Sequence, residues 1–150
     1  MFPTATMSDA QWKKEADDTL IEAAIRKAER RTSGEIRVFI SRHPCADPGR
    51  SARQEFVRLD MTRTPLRNAV LLYFAPQSRT FALASDEGVE FRCGRDLDSA
   101  VAEVVTPELS EGRLGPAIVA AVHRVGEELA RQFPHHTLDR NDLPDAVIRD

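Results

Sequence analysis

The sequence predicts an α/β protein: a three-layer α/β/α sandwich around a small, mixed, Rossmann-like sheet. Three observations predict it. Apolar residues at helical spacing before Gly34 give way to alternation at Ile36, Val38 and Ile40; the run from Ala69 to Ala75 is wholly apolar; and a long helical stripe follows Pro116. With 150 residues and 41% hydrophobic content, the chain is sized for one domain that buries about two-thirds of its unfolded surface. No repeat, low-complexity segment or linker divides it, so 1–150 is read as a single domain with a core over about 9–134.

Taken in order, Ser8 and Gln11 have capping-box spacing, and Trp12, Ala16, Leu20, Ala23, Ala24 and Ala28 recur at helical intervals until Gly34 stops the run. Ile36, Val38 and Ile40 then form a strand covered mainly on one side. Pro44 and Pro48 punctuate a polar loop, after which Ala52, Phe56, Val57 and Leu59 supply the inner face of a second helix. Ala69 to Ala75 is a central strand buried on both faces. Only Pro76 to Ser78 separates it from the strand ending at Ala84, too short a link for a crossover, so the pair is an antiparallel hairpin. Asp96 is placed to cap a third helix through about Val105, with a restart at Thr106-Pro107. In the final helix, opened by Pro116, Ile118, Val119, Val122, Val125, Gly126 and Leu129 form the buried stripe, ending near Pro134. Residues 135–150 read as a strap or a flexible tail.

Composition narrows the function. The net charge of -3 mixes both signs along the chain, without the basic field that phosphate-backbone binding requires, so nucleic acid is excluded as a partner. The cluster Arg26, Lys27, Arg30 and Arg31 is interleaved with glutamates and reads as a solvated helix face. No apolar run approaches the ~20 residues of a membrane span, and residues 1–7 lack the regions of a secretory signal. The expectation is a cytoplasmic protein without membrane insertion. Cys45 and Cys93 lack metal-site spacing, as do the four histidines, which argues against zinc or a disulfide framework.

Topology sorts the polar residues. A right-handed crossover makes the first two strands parallel, and the hairpin returns the third, so Asp86 falls near Arg67 and Asn68 at the start of the second strand. Glu35, Asp60, Arg63 and Glu87 belong to the same end, and Asp47 to the opposite one. This acidic rim offers Asp86, Glu87, Asp60 and Glu35 as hard oxygen ligands for Ca²⁺ or Mg²⁺. The competing reading makes Asp86 the cap of a turn in which Gly88 supplies a positive φ. Arg67, Asn68 and Arg63 could clamp a phosphate; alternatively, Arg67 bridges to Glu87 or Asp60. No nucleophile loop, Asp-x-Asp pair, Gly-x-Ser-x-Gly elbow or glycine-rich phosphate loop accompanies them.

The segments Thr32 to Val38, Thr64 to Tyr73, Ser85 to Val89 and Asn141 to Asp145 resemble, in order and spacing, the short soluble bacterial members of the TPM domain family. The resemblance covers about Asp9 to Asp145. It implies the same sandwich fold. The family is labelled phosphatase, metal binding is attributed to some members, and others act in photosystem repair or receptor modulation. This chain departs from the family pattern at several places. Ser85 and Val89 take the outer positions of a segment usually reading Gly-Asp-x-Gly-Ile, Asp60 and Ala69 stand where glycine is common, and Arg92 to Leu97 lacks a usual aromatic. Many relatives also carry a signal peptide or membrane anchor. Two functions follow as expectations: a binding or assembly module for a protein partner, its rim open to Ca²⁺ or Mg²⁺, or a weak metal-dependent phosphomonoesterase at that rim. Oligomeric state is left open by the sequence.

Overall fold

The computed structural model describes residues 17–135 and 147–150. The expectations for Ser8, Gln11, Trp12, Ala16, His136 and Asn141 to Asp145 lie outside them. Among the described residues, four strands form one sheet in the order β3-β2-β1-β4, with β1 spanning Glu35–Ile40, β2 Ala69–Ala75, β3 Thr80–Ser85 and β4 Val147–Arg149. β1 runs parallel to β2 and to β4, while β2 and β3 are antiparallel, so the sheet is mixed. Helices cover both faces, giving the expected sandwich.

Alternation along β1 divides the core. Ile36, Val38 and Ile40 join Val70, Leu72 and Phe74 in the larger cluster, against helices on one face. Phe39, Leu71, Tyr73 and Ala84 join Ala52 and Phe56 on the other. Contrary to the expectation of a strand covered on one side, all six β1 residues are buried, Glu35 and Arg37 included. Burial lowers the Arg37 guanidinium from its ordinary value, and the nearby charge of Arg63 adds to the effect.

Helix α1, Asp18–Glu29, begins at Asp17, whose carboxylate accepts the Thr19 N–H at 2.9 Å. Its buried stripe is Ile21, Ala24, Ile25 and Ala28. Leu20, expected inside, is 63% exposed, because the two isoleucines bury more apolar area when they face the sheet. Helix α2, Pro48–Arg58, is capped by Asp47 and buries Ala52 and Phe56, one turn apart. Val57, one position further round, points to solvent at 70% exposure.

The region after β3 differs most from expectation. A seven-residue helix α3, Glu87–Cys93, stands where a turn was expected, with Asp86 as its cap. Gly88 lies inside this helix and does not have the positive φ expected of it. A Cβ there would sit 2.3 Å from the Leu66 carbonyl oxygen and 2.6 Å from that of Arg67, so glycine permits close backbone approach. Helix α4, Asp96–Ser110, is unbroken although Pro107, in its last turn, has no N–H to give the carbonyl one turn back; Ser110 Oγ donates to the Pro107 carbonyl at 2.9 Å. Asp96 sits within its first turn and does not cap it. Helix α5, Leu114–Gln132, starts two residues before Pro116 and carries the expected stripe, except that Val119 is only half-buried. At Gly126 it meets α1 so closely that a Cβ would lie 2.8 Å from Ala28 Cβ.

In the tail, Val147–Arg149 pairs with β1 as an edge strand. Asp150 accepts from Ser41 Oγ at 2.5 Å and the Arg42 N–H at 2.9 Å, and Arg149 pairs with Asp18. Among the described residues, no helix is long and apolar enough to cross a membrane.

Candidate functional site

The end of the sheet where β2 starts is built by three turns. Ser33 and Gly34 lead into β1, residues 64–68 lead into β2, and Asp86 leads out of β3 into α3. Asn68, 2% exposed, ties the first two together. Its backbone N–H donates to Thr64 Oγ1 at 3.1 Å, its side-chain amide donates to Ser33 Oγ at 3.2 Å, and its carbonyl accepts the Glu35 N–H at 3.3 Å. Asn68 therefore spends its polar groups on the fold. It is not turned outward as a phosphate ligand.

Arg67 has a left-handed backbone, φ 52°, which swings its side chain across the start of α3. Its Nε–H donates to Asp86 Oδ2 and an Nη–H donates to Asp86 Oδ1, both at 2.8 Å; a second Nη–H reaches Glu87 Oε1 at 3.1 Å. Asp86 is 4% exposed and also accepts the Glu87 N–H at 2.8 Å. Hydrogen bonding to Asp86 raises the Arg67 guanidinium above its ordinary value, against an opposing cost of desolvation. Of the two bridges weighed from sequence, the one to Glu87 is present, and the closer partner is Asp86 rather than Asp60.

The remaining rim residues are dispersed. Asp60 is exposed on the turn after α2 with φ 55°, a conformation that explains why glycine would suit this position and that aspartate tolerates better than most residues. Arg63 ends the short 3₁₀ turn Met61–Arg63 and lies toward Arg37. Glu35 is buried on β1, 4% exposed. Asp47 caps α2 at the opposite end, as topology required.

Do these residues fit a hard divalent cation? Both Asp86 oxygens and one from Glu87 already accept from Arg67. Among the described residues, no group of three or more His, Cys, Asp or Glu side chains is arranged to hold a metal ion. As folded, the pair is engaged by a guanidinium.

Beside the ion pairs lies a groove of about 760 Å³, bounded by the 65–67 loop, α3 and the end of α5. Leu66 and Phe91 are 56% and 90% exposed on its walls, and Arg92 stacks its guanidinium over Phe133 at 5.3 Å. The sequence analysis missed this surface. Phe91 stands on a helix that the pattern did not reveal.

The family model of the TPM domain matches residues 8–128. The chain belongs to the TPM domain family. This TPM domain is similar to the BA42 protein of the psychrophilic bacterium Bizionia argentinensis, solved by NMR. The two are 30% identical over 91% of this chain and 93% of that one, with a TM-score of 0.83. It also shares its fold with the N-terminal domain of cg2496 from Corynebacterium glutamicum, at 16% identity over 88% of this chain and 77% of that one, TM-score 0.58. An N-terminal domain from P. gingivalis is similar at 17% identity, covering 89% and 83%, TM-score 0.61. No curated protein matches the chain in sequence.

Proposed function

We infer that this TPM domain is a binding and assembly module that seats a segment of a protein partner in the groove beside Arg67 and Glu87. One observation carries the reading: Phe91, an aromatic side chain 90% exposed, stands on the wall of a formed groove next to exposed Leu66. A solvent-facing aromatic in a concave, partly charged surface has the features of an interface anchor. Arg67 and Arg92 give the groove polar edges that can orient the partner.

In this reading, the Asp86–Glu87 pair takes Ca²⁺ or Mg²⁺ only in exchange for Arg67, since the same oxygens serve both. The test places a photoreactive residue at position 91, captures the partner from source cells and then purifies it. Direct binding of the purified partner is expected to weaken at least about tenfold in Phe91→Ala and Leu66→Ala, both surface changes that leave the core intact. Unchanged binding in both variants would exclude the groove. Turnover of a phosphate ester by rigorously purified protein, lost in Asp86→Asn, would replace this reading with the phosphomonoesterase expected as the alternative from sequence.

A further inference from the structure

Among the described residues, no strand pairs with the outer edge of β3, on the far side of the sheet from β4. The Asp86 N–H donates to the Ala69 carbonyl at 3.0 Å, which makes residues 86 and 69 a hydrogen-bonded pair. Alternation along the register then pairs 84, 82 and 80 with β2 in the same way, leaving the backbone N–H and C=O groups of Phe81, Leu83 and Ser85 facing outward. Edge strands are ordinarily protected by charge, proline or a bulge. β3, Thr-Phe-Ala-Leu-Ala-Ser, contains no charged residue and no proline, and its pairing with β2 is regular over all six residues. It is recessed instead. Helices α2 and α4 flank it and form a cleft of about 940 Å³, lined by Arg50, Arg53 and Val57 on one wall, Asp98 and Ala102 on the other, and Phe81 to Leu83 at its base.

We propose that this cleft takes an extended segment of a partner protein as a fifth strand, with acidic side chains toward Arg50 and Arg53 and apolar side chains toward Phe81 and Leu83. Strand addition supplies main-chain hydrogen bonds, and alternate side chains of the incoming strand enter the two walls. Successive residues must therefore differ in character. Those on the α2 side meet two cations and exposed Val57, while those on the α4 side meet apolar Phe81, Leu83 and Ala102 and must keep clear of the Asp98 carboxylate on the same wall. Arg53 has a long contact with Glu90, 3.8 Å, between side chains 67% and 56% exposed, and lies within electrostatic reach of Asp98, so an incoming carboxylate competes with weakly held partners. A second copy of this chain fits less well. A two-fold axis normal to the sheet would place the α2 helices of both copies on one face and bring their arginines together. The inference is independent of the groove at Phe91, which lies at the end of the sheet.

The test uses the whole protein, isotope-labelled, and a synthetic peptide of about seven residues that alternates glutamate and valine. Binding is expected to slow amide hydrogen exchange at least about tenfold at Phe81, Leu83 and Ser85, with little change at Ala82 and Ala84, whose amides already pair with β2. The same peptide N-methylated on the β3-facing amides should fail to bind. Arg50→Glu with Arg53→Glu, both exposed and outside the core, should lose the glutamate peptide and accept one alternating lysine and valine. The proposal is overturned if exchange at Phe81, Leu83 and Ser85 is unchanged at millimolar peptide, if the N-methylated peptide binds equally, or if both charge patterns bind the wild type alike. It is also overturned if the edge is already occupied by a second copy, seen as a dimer by sedimentation that the peptide does not dissociate.

Discussion

Arg67 holds Asp86 with its side chain and the helix that Asp86 caps with its backbone. The Arg67 guanidinium donates to the two Asp86 oxygens at 2.8 Å each, and its carbonyl accepts the Gly88 N–H, two residues past Asp86, at 2.9 Å. One aspartate thus caps α3, neutralises an arginine and fixes the turn before β2.

Removing that aspartate should act on the fold first. Asp86→Ala is expected to destabilise the protein by at least about 1 kcal/mol through the lost cap alone, and Asp86→Asn by less, because asparagine caps equally well. With Arg67→Gln the two changes should be non-additive, since each removes the same bond. Urea unfolding of the two single variants and the double variant measures this; additive losses would show that the pairing contributes nothing.

Two glycines should respond with opposite sign. Gly88→Ala forces a Cβ against the Leu66 and Arg67 carbonyls and should cost about 1–3 kcal/mol, because backbone atoms on both sides must shift. Gly49, exposed in α2, has nothing nearer than 3.7 Å, and Gly49→Ala should be neutral or stabilising by up to about 1 kcal/mol. Thermal unfolding of the two variants decides it. A tolerated Gly88→Ala would contradict the close approach of α3 to the 66–67 backbone.

Tyr73 makes the alkaline limit readable, because it is the chain's single tyrosine. It is buried on β2 and stacks on Phe39 at 5.4 Å between centroids, and burial raises its phenol from the ordinary 10.0. Below pH 10 the phenol is neutral in both folded and unfolded chains, so the shift contributes nothing. As pH climbs past 10, the unfolded chain releases its proton first, and stability falls. Phenolate absorbance should therefore rise only above pH 10, later than in the urea-unfolded chain. Reversible ionisation at or below pH 10 with the fold intact would overturn the assignment.

What the sequence revealed and what it hid follow from the length of the signal. β2 was legible because a continuous apolar run leaves a central strand as its simplest home, and the hairpin followed from the short link after Ala75. α5 was legible through its long stripe. Helix α3 was not, since its seven residues contain one buried side chain, Val89, too little to show a period. Gly88 misled because a glycine needed for positive φ and one needed for close approach look alike in a sequence. Topology brought Arg67, Asn68, Asp86 and Glu87 to one end of the sheet, where the structure also has them, whereas Asp60, Arg63 and Glu35 are dispersed. Side-chain direction was beyond it: Asn68 turns inward to Ser33, and Arg67 occupies the carboxylates that had been assigned to an ion. Exposure of Phe91 could not be read either, since it depends on how α3 rotates against the core.

The central claim is that Arg67 serves the Asp86–Glu87 pair as an internal cation, competing with any divalent ion. The most direct test is a Ca²⁺ titration of isotope-labelled wild type and Arg67→Gln, following the Asp86, Glu87 and Gly88 amides together with the Arg67 side-chain N–H. The account predicts saturable shifts at Asp86 to Gly88 in Arg67→Gln, at an affinity at least about tenfold above that of wild type, and loss of the Arg67 contact wherever wild type binds. Equal affinity in the two proteins, no saturable shift at Asp86 and Glu87 in the variant, or shifts centred on Asp47 would contradict it.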